Sequence, residues 1–133
     1  MAFDRTVRVL IVDDYQTMRR IIRNLLRQIG VHDVDEAADG AEAIVRLRAE
    51  CQGGGAFGLI VSDWNMQPMS GLELLTEVRD DPRLRQTPFI MVTAESKADN
   101  VVAAKQAGVS NYIVKPFNAE TLREKIEKAL TCA

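Results

Sequence analysis

Five short apolar runs, each bounded by turn-forming residues and each followed by a longer amphipathic stretch, constrain this chain more than any other feature. That alternation is the pattern of βα units, which build a parallel sheet with helices on its faces. The first run, 7–12 (VRVLIV), is almost continuously apolar, as a strand buried on both faces must be, and it stops at Asp13-Asp14. Over 15–29, Met18, Ile21, Ile22, Leu25, Leu26 and Ile29 recur at spacings of three and four, predicting a helix that turns this whole stripe inward and ends at Gly30. Residues 34–38 give a weaker second strand, Asp39-Gly40 a turn, and 41–49 a second helix with Ile44 and Leu47 inward. Gly53-Gly54-Gly55 is expected to be a connecting loop, because no Lys and Ser/Thr follow it in phosphate-cradling register.

The third strand is expected over 57–62, ending at Asp63. A turn-rich passage through Pro68 leads to Ser70, an N-cap for a helix from about Leu72 that Pro82 bounds. A fourth strand (88–92) precedes Thr93, and a helix over 97–107 ends at Gly108. The fifth strand, 111–114, is interrupted by Lys115-Pro116, after which Asn118 caps a last helix carrying Leu122, Ile126 and Leu130 inward.

At 133 residues and 47% hydrophobic composition, one compact domain is expected over 1–133, without an attached output domain. A formal charge of −2 supplies no basic face for nucleic acid. No apolar run reaches the roughly 20 residues that span a bilayer, and the N-terminus lacks a secretion signal, so the cytoplasm is the expected compartment. Cys51 and Cys132 lack metal-ligand spacing and read as free thiols, and His32 reads as a solvated surface residue.

In an open parallel sheet, ligands bind outside the carboxyl ends of the strands. Asp13 and Asp14 follow the first strand, Asp63 the third, Thr93 the fourth and Lys115 the fifth. Any one of these acids alone is explained as well by capping the next helix. Jointly they put three carboxylates, a hydroxyl and an ammonium on one rim. Carboxylates drawn together need a cation, and hard oxygen ligands suit Mg²⁺. Asp63, alone at the end of the central strand, is the candidate nucleophile toward phosphorus, with Asp13 and Asp14 holding the metal. Lys115 and Thr93 are placed to donate to phosphoryl oxygens.

Asp13-Asp14 after VLIV, SDWNMQPMSGLELL around Asp63, MVTAE around Thr93 and YIVKPF around Lys115 together resemble two-component response-regulator receiver domains, most of all their stand-alone chemotaxis members. The resemblance implies a doubly wound, flavodoxin-like α/β fold, with a five-stranded parallel sheet of order 2-1-3-4-5 and five flanking helices. It implies Asp63 as phosphoacceptor, Asp13 and Asp14 as Mg²⁺-holding acids, and Asn65 as the residue lending a backbone carbonyl to the metal. Thr93 and Lys115 match the switch hydroxyl and phosphate-binding lysine, Tyr112 the aromatic switch residue, and Lys125 the output face. The implied partners are a histidine kinase as phosphodonor, the flagellar motor switch protein as target and a separate phosphatase, with the chain itself a monomer. Gln67-Pro68 departs from the family, which usually has proline directly after the methionine, and the Gly-rich segment 52–58 is longer than usual. A phosphate sink or relay without motor binding is the alternative. An aspartate-nucleophile phosphatase of the haloacid-dehalogenase type fits poorly, because the chain has adjacent acids rather than D-x-D and no length for a cap domain.

Overall fold

The computed structural model describes residues 4–53, 56–93 and 98–131. Along the chain run β1 (Val9–Val12), α1 (Gln16–Gln28), β2 (Val34–Ala37), α2 (Gly40–Gly53), β3 (Leu59–Asp63), α3 (Gly71–Asp80), β4 (Phe89–Thr93), α4 (Ala98–Gln106), β5 (Asn111–Val114) and α5 (Ala119–Thr131). The strands form one parallel sheet in the order β2-β1-β3-β4-β5, as the resemblance implies.

The three central strands, β1, β3 and β4, are buried at every position. Their side chains alternate between two cores, since successive residues of a strand face opposite sides. Leu10, Val12, Ile60, Phe89 and Met91 meet Ala43, Ile44 and Leu47 of α2 and Leu74, Leu75 and Val78 of α3. Val9, Ile11, Leu59, Val61, Ile90 and Val92 meet Ile22 and Leu26 of α1 and Leu122, Ile126 and Ala129 of α5.

Several boundaries differ from the sequence pattern. In α1 only Ile22 and Leu26 are buried; Met18, Leu25 and Ile29 pack at the margin, and Ile21 is 45% exposed. The helix therefore turns a narrower stripe inward than its apolar residues allow. α2 runs a turn beyond 49 and takes in Gly53. β3 begins at Leu59, not at position 57: Phe57 is buried, but its ring lies beneath the Arg8 guanidinium, 4.4 Å from the centroid. Gly54, Gly55, Glu95, Lys97 and Cys132 lie outside the described residues. Cys51 is a free thiol and His32 is exposed.

Two glycines mark places where the backbone had no alternative. Gly30, just past α1, has φ 90°, the left-handed conformation that closes a helix at no steric cost to glycine. Gly71 opens α3, and a Cβ there would lie 2.2 Å from the backbone oxygen of Asp63 and 2.8 Å from Met91 Sδ. Its N–H donates to the Trp64 carbonyl at 2.9 Å. A capping box fixes the same helix end: Ser70 Oγ accepts from the Glu73 N–H at 3.2 Å and Glu73 Oε1 from the Ser70 N–H at 3.1 Å. The N-terminus of α3 is thereby clamped against the end of β3, which carries Asp63. At the far end of α3, Arg79 donates to the carbonyls of Thr87 at 2.6 Å, Gly108 at 2.8 Å and Arg85 at 3.0 Å, tying the helix to two loops.

Alanine favours helix over glycine by about 1 kcal/mol at an open position. Gly71→Ala is nevertheless expected to destabilise the protein by about 1–3 kcal/mol, because backbone is what the new methyl meets. Urea denaturation measures this; a variant as stable as the native chain would contradict the close approach.

Candidate functional site

The parallel sheet delivers the carboxyl ends of its strands to one edge, and the acids stand there. Asp13 follows β1 and is fully buried; Asp63 ends β3 at 5% exposure; Asp14 is exposed beside them. One carboxylate oxygen from each of Asp13, Asp14 and Asp63 lies within 4.8 Å of the others. Lys115, just past β5, sends its Nζ to Asp63 Oδ1 at 3.0 Å and stands 3.9 Å from Asp13 Oδ2. Its own backbone N–H donates to the Thr93 carbonyl at 2.8 Å, so the ends of β4 and β5 are pinned together. Thr93 is buried at the end of β4, one residue beyond Val92, which pairs with Asp63. All five rim residues thus reach one edge of the sheet.

Asp13 shows why its two readings are compatible. Oδ1 accepts from the Tyr15 N–H at 2.9 Å, serving as a cap for α1, whose N-cap residue Tyr15 makes no side-chain bond of its own. Oδ2 is buried and has no hydrogen-bond partner among the described residues. A buried carboxylate oxygen without a donor is costly. Lys115 at 3.9 Å lies beyond hydrogen-bond range of it. Among the described residues, three carboxylates against one ammonium, with an oxygen left over, are a donor set that fits a hard divalent cation such as Mg²⁺.

The electrostatics agree. Burial pushes the Asp13 carboxyl up to about 6, helped by the neighbouring Asp63 and Asp14 charges, while the Tyr15 N–H and Lys115 pull the other way. Burial also raises Asp63, against the opposing hydrogen bond from Lys115. The remaining expected residues are Asn65, Tyr112 and Lys125. Asn65 is exposed on the β3–α3 loop, two residues past Asp63, and the Gln67–Pro68 peptide in the same loop is cis. Tyr112 is half-buried on β5, packing on the α2/α3-side core, and the Lys125 ammonium of α5 lies 5.2 Å from its ring centroid.

Two residues near the site escaped sequence reasoning. Gly71 is one, through its contact with Asp63. Arg19 is the other: from the first turn of α1 its Nη1 donates to the Asp13 carbonyl at 2.6 Å. A glycine directly after a helix cap was a legible signal for the first. The arginine offered none, since its partners are a backbone atom and a residue on another strand.

The sheet order and the acid-and-lysine rim define an α/β receiver, and the chain belongs to the response regulator receiver domain family, which it matches over residues 9–127. It is 52% identical to the chemotaxis protein CheY of Pseudomonas aeruginosa over 122 residues, 92% of this chain and 94% of that protein. It is 46% identical to the chemotaxis protein CheY-3 of Vibrio cholerae over 125 residues, 94% of this chain and 92% of that one. Among solved structures it resembles V. cholerae CheY4, with a TM-score of 0.83 and 34% identity over 94% of this chain and 99% of the other. It also resembles the receiver domain of a histidine kinase from Syntrophus aciditrophicus, with a TM-score of 0.82 and 27% identity over 96% of this chain and 92% of that one.

A carboxyl raised on folding contributes stability that is complete below its unfolded value, near 4, and lost as pH rises through its folded value. For Asp13 that window is about 4 to 6. Metal-free protein is therefore expected to melt lower at pH 7.5 than at pH 5.5, and added Mg²⁺ to narrow the gap. Asp13→Asn is expected to stabilise the metal-free protein at pH 7.5 by about 1–3 kcal/mol. Thermal melts in a chelator check both; a pH-independent melting temperature over this window would contradict the burial of an unpaired charge.

Proposed function

We propose that the chain is a phosphorylation-activated response regulator of chemotaxis, which accepts a phosphoryl group on Asp63 from a histidine kinase and signals by binding the flagellar motor switch protein. The observation that carries this reading is the buried Asp63 carboxylate, bonded to Lys115 at 3.0 Å beside the unpartnered Oδ2 of Asp13. Relatives named as chemotaxis proteins, similar over more than nine-tenths of the chain, support the pathway.

Asp13, Asp14, Asp63 and the Asn65 backbone carbonyl would hold Mg²⁺, which when bound neutralises charge on the carboxylates and on the arriving phosphoryl oxygens. The Asp63 carboxylate is the nucleophile: an oxygen of it bonds to phosphorus as the bond from phosphorus to the donor nitrogen breaks. The Lys115 ammonium passes from a carboxylate partner to a phosphoryl oxygen, and the Thr93 hydroxyl donates to another. Hydrolysis, with water attacking phosphorus, returns Asp63 to the carboxylate. The chain thus turns over only its own phosphoryl group and acts as a signalling protein, with a separate phosphatase as a further partner.

Thr93 drawn inward leaves room behind it, and Tyr112 turns into that room. That rotation changes the Tyr112–Lys125 contact and with it the surface of α4, β5 and α5. Output through this surface is intermolecular, from a cytoplasmic, monomeric single domain. Phosphorylation shifts a balance between two arrangements, so the partner must bind one better than the other.

Mass spectrometry after treatment with acetyl phosphate and Mg²⁺ tests the site. One added phosphoryl group is expected on the native chain and none on Asp63→Asn, while Lys115→Ala is expected to slow the modification roughly 10–100-fold. Phosphorylation of Asp63→Asn to the native extent would overturn the assignment. For the output, motor-switch peptide is expected to bind more tightly when beryllofluoride occupies the site. Equal binding in its presence and absence would favour a phosphate sink instead.

A further inference from the structure

We propose that Arg19 is a positioning residue for the cation site, holding the Asp13-Asp14 segment through the Asp13 backbone carbonyl while Glu36 holds Arg19 in turn. This deepens the reading that Asp13 and Asp14 bind a divalent cation, and rests on it. Asp13 leaves the sheet at the end of β1, and four of its groups seek partners. Its N–H donates to the Ala37 carbonyl of β2 at 3.2 Å, and its Oδ1 accepts from the Tyr15 N–H at 2.9 Å. Its carbonyl oxygen accepts from Arg19 Nη1 at 2.6 Å. With those three fixed, the free Oδ2 has one direction left to it.

Arg19 is itself set in place. Its Nε donates to Glu36 Oε1 at 2.9 Å, and its side chain is only 16% exposed. Glu36 lies on β2, paired with Ile11 of β1, and its other oxygen accepts from Arg23 Nε at 2.7 Å. A planar guanidinium is suited to such bracing, because two of its N–H groups bridge a carbonyl and a carboxylate in fixed geometry, which a lysine ammonium does not reproduce. The resulting brace runs from β2 through α1 to the carbonyl of Asp13, just past β1. Partners of this kind, one step removed from a metal, hold the ligands in the geometry that binding needs.

The charge of Arg19 works against that role, which makes the proposal decidable by sign. Arg19 and Arg23 share one glutamate, so the trio keeps an excess positive charge, which repels a cation. If charge were its only influence, removing Arg19 would tighten Mg²⁺ binding; positioning requires that removal weaken it. The experiment is a Mg²⁺ titration of the full chain by calorimetry and Trp64 fluorescence, with amide exchange at Asp14 and Tyr15 measured in metal-free protein.

Arg19→Ala is expected to weaken Mg²⁺ binding roughly tenfold and to speed exchange of both amides. Arg19→Lys, which keeps the charge and loses the fork, is expected to weaken binding as well. Arg23→Ala, which releases the Glu36 oxygen that Arg19 does not use, is expected to leave affinity within about twofold of native. Circular dichroism confirms the fold of each, and the lysine variant decides the question should the alanine variant unfold. Native or tighter Mg²⁺ binding by Arg19→Ala or Arg19→Lys would overturn the positioning role; the site reading survives that result provided Asp13→Asn loses affinity. Undiminished binding by Asp13→Asn would overturn the cation site and the role of Arg19 with it.

Discussion

Among the described residues, a single ammonium faces three carboxylates at the open edge of the sheet. Lys115 bonds to Asp63 at 3.0 Å and leaves Asp13 Oδ2 without a donor in a buried position. Protein interiors rarely tolerate such an oxygen, because the water it gave up is not replaced. The imbalance persists here because the surrounding backbone determines it: Asp13 is bound through its N–H, its carbonyl and its other oxygen, and none of those contacts relieves Oδ2. A chain carrying this local cost gains in return a site that is short of positive charge, which a divalent cation would supply.

The remainder of the fold supports that edge. Central strands that are buried at every position give two apolar cores, one under α2 and α3 and one under α1 and α5. Both cores are packed from apolar side chains, and the buried polar residues Ser62, Asp63 and Thr93 stand at the carboxyl ends of β3 and β4. The clamp of Gly71 and Ser70 against the end of β3 adds a local restraint on Asp63 from the opposite side to the Arg19 brace on Asp13. The edge strand β5 is less enclosed: of its four residues only Ile113 is buried, and Tyr112 lies half-exposed against Lys125. The other edge strand, β2, is as open, with only Ala37 of its four residues buried.

Much of this was legible from residue order, because parallel strands buried on both faces leave continuous apolar runs and each run stops where the chemistry begins. β5 is recovered with the expected bounds, and Ser70 and Asn118 both act as caps, Asn118 Oδ1 accepting from the Thr121 N–H at 2.8 Å. What the pattern could not supply was anything decided across the chain. Ile21 has the right spacing for the core but sits at the outer margin of a helix that is buried along a narrower stripe. Phe57 reads as strand because it is apolar, whereas it covers the sheet end beneath Arg8. Arg19 and Arg79 leave no mark in the apolar pattern, yet both donate to backbone carbonyls distant in sequence or outside their own helix. Hydrophobic periodicity reports which side of an element is wet; it carries no record of which carbonyl a long side chain reaches.

A cation shared by Asp13 and Asp63 would satisfy the buried, unpartnered oxygen, and anomalous diffraction from crystals soaked in Mn²⁺ tests that directly. The predicted result is one strong peak within ligand distance of Asp13 Oδ2 and the Asp63 carboxylate, with Asp13 Oδ1 still bonded to the Tyr15 N–H. A peak elsewhere, or none at these acids under conditions that saturate the protein, would contradict it.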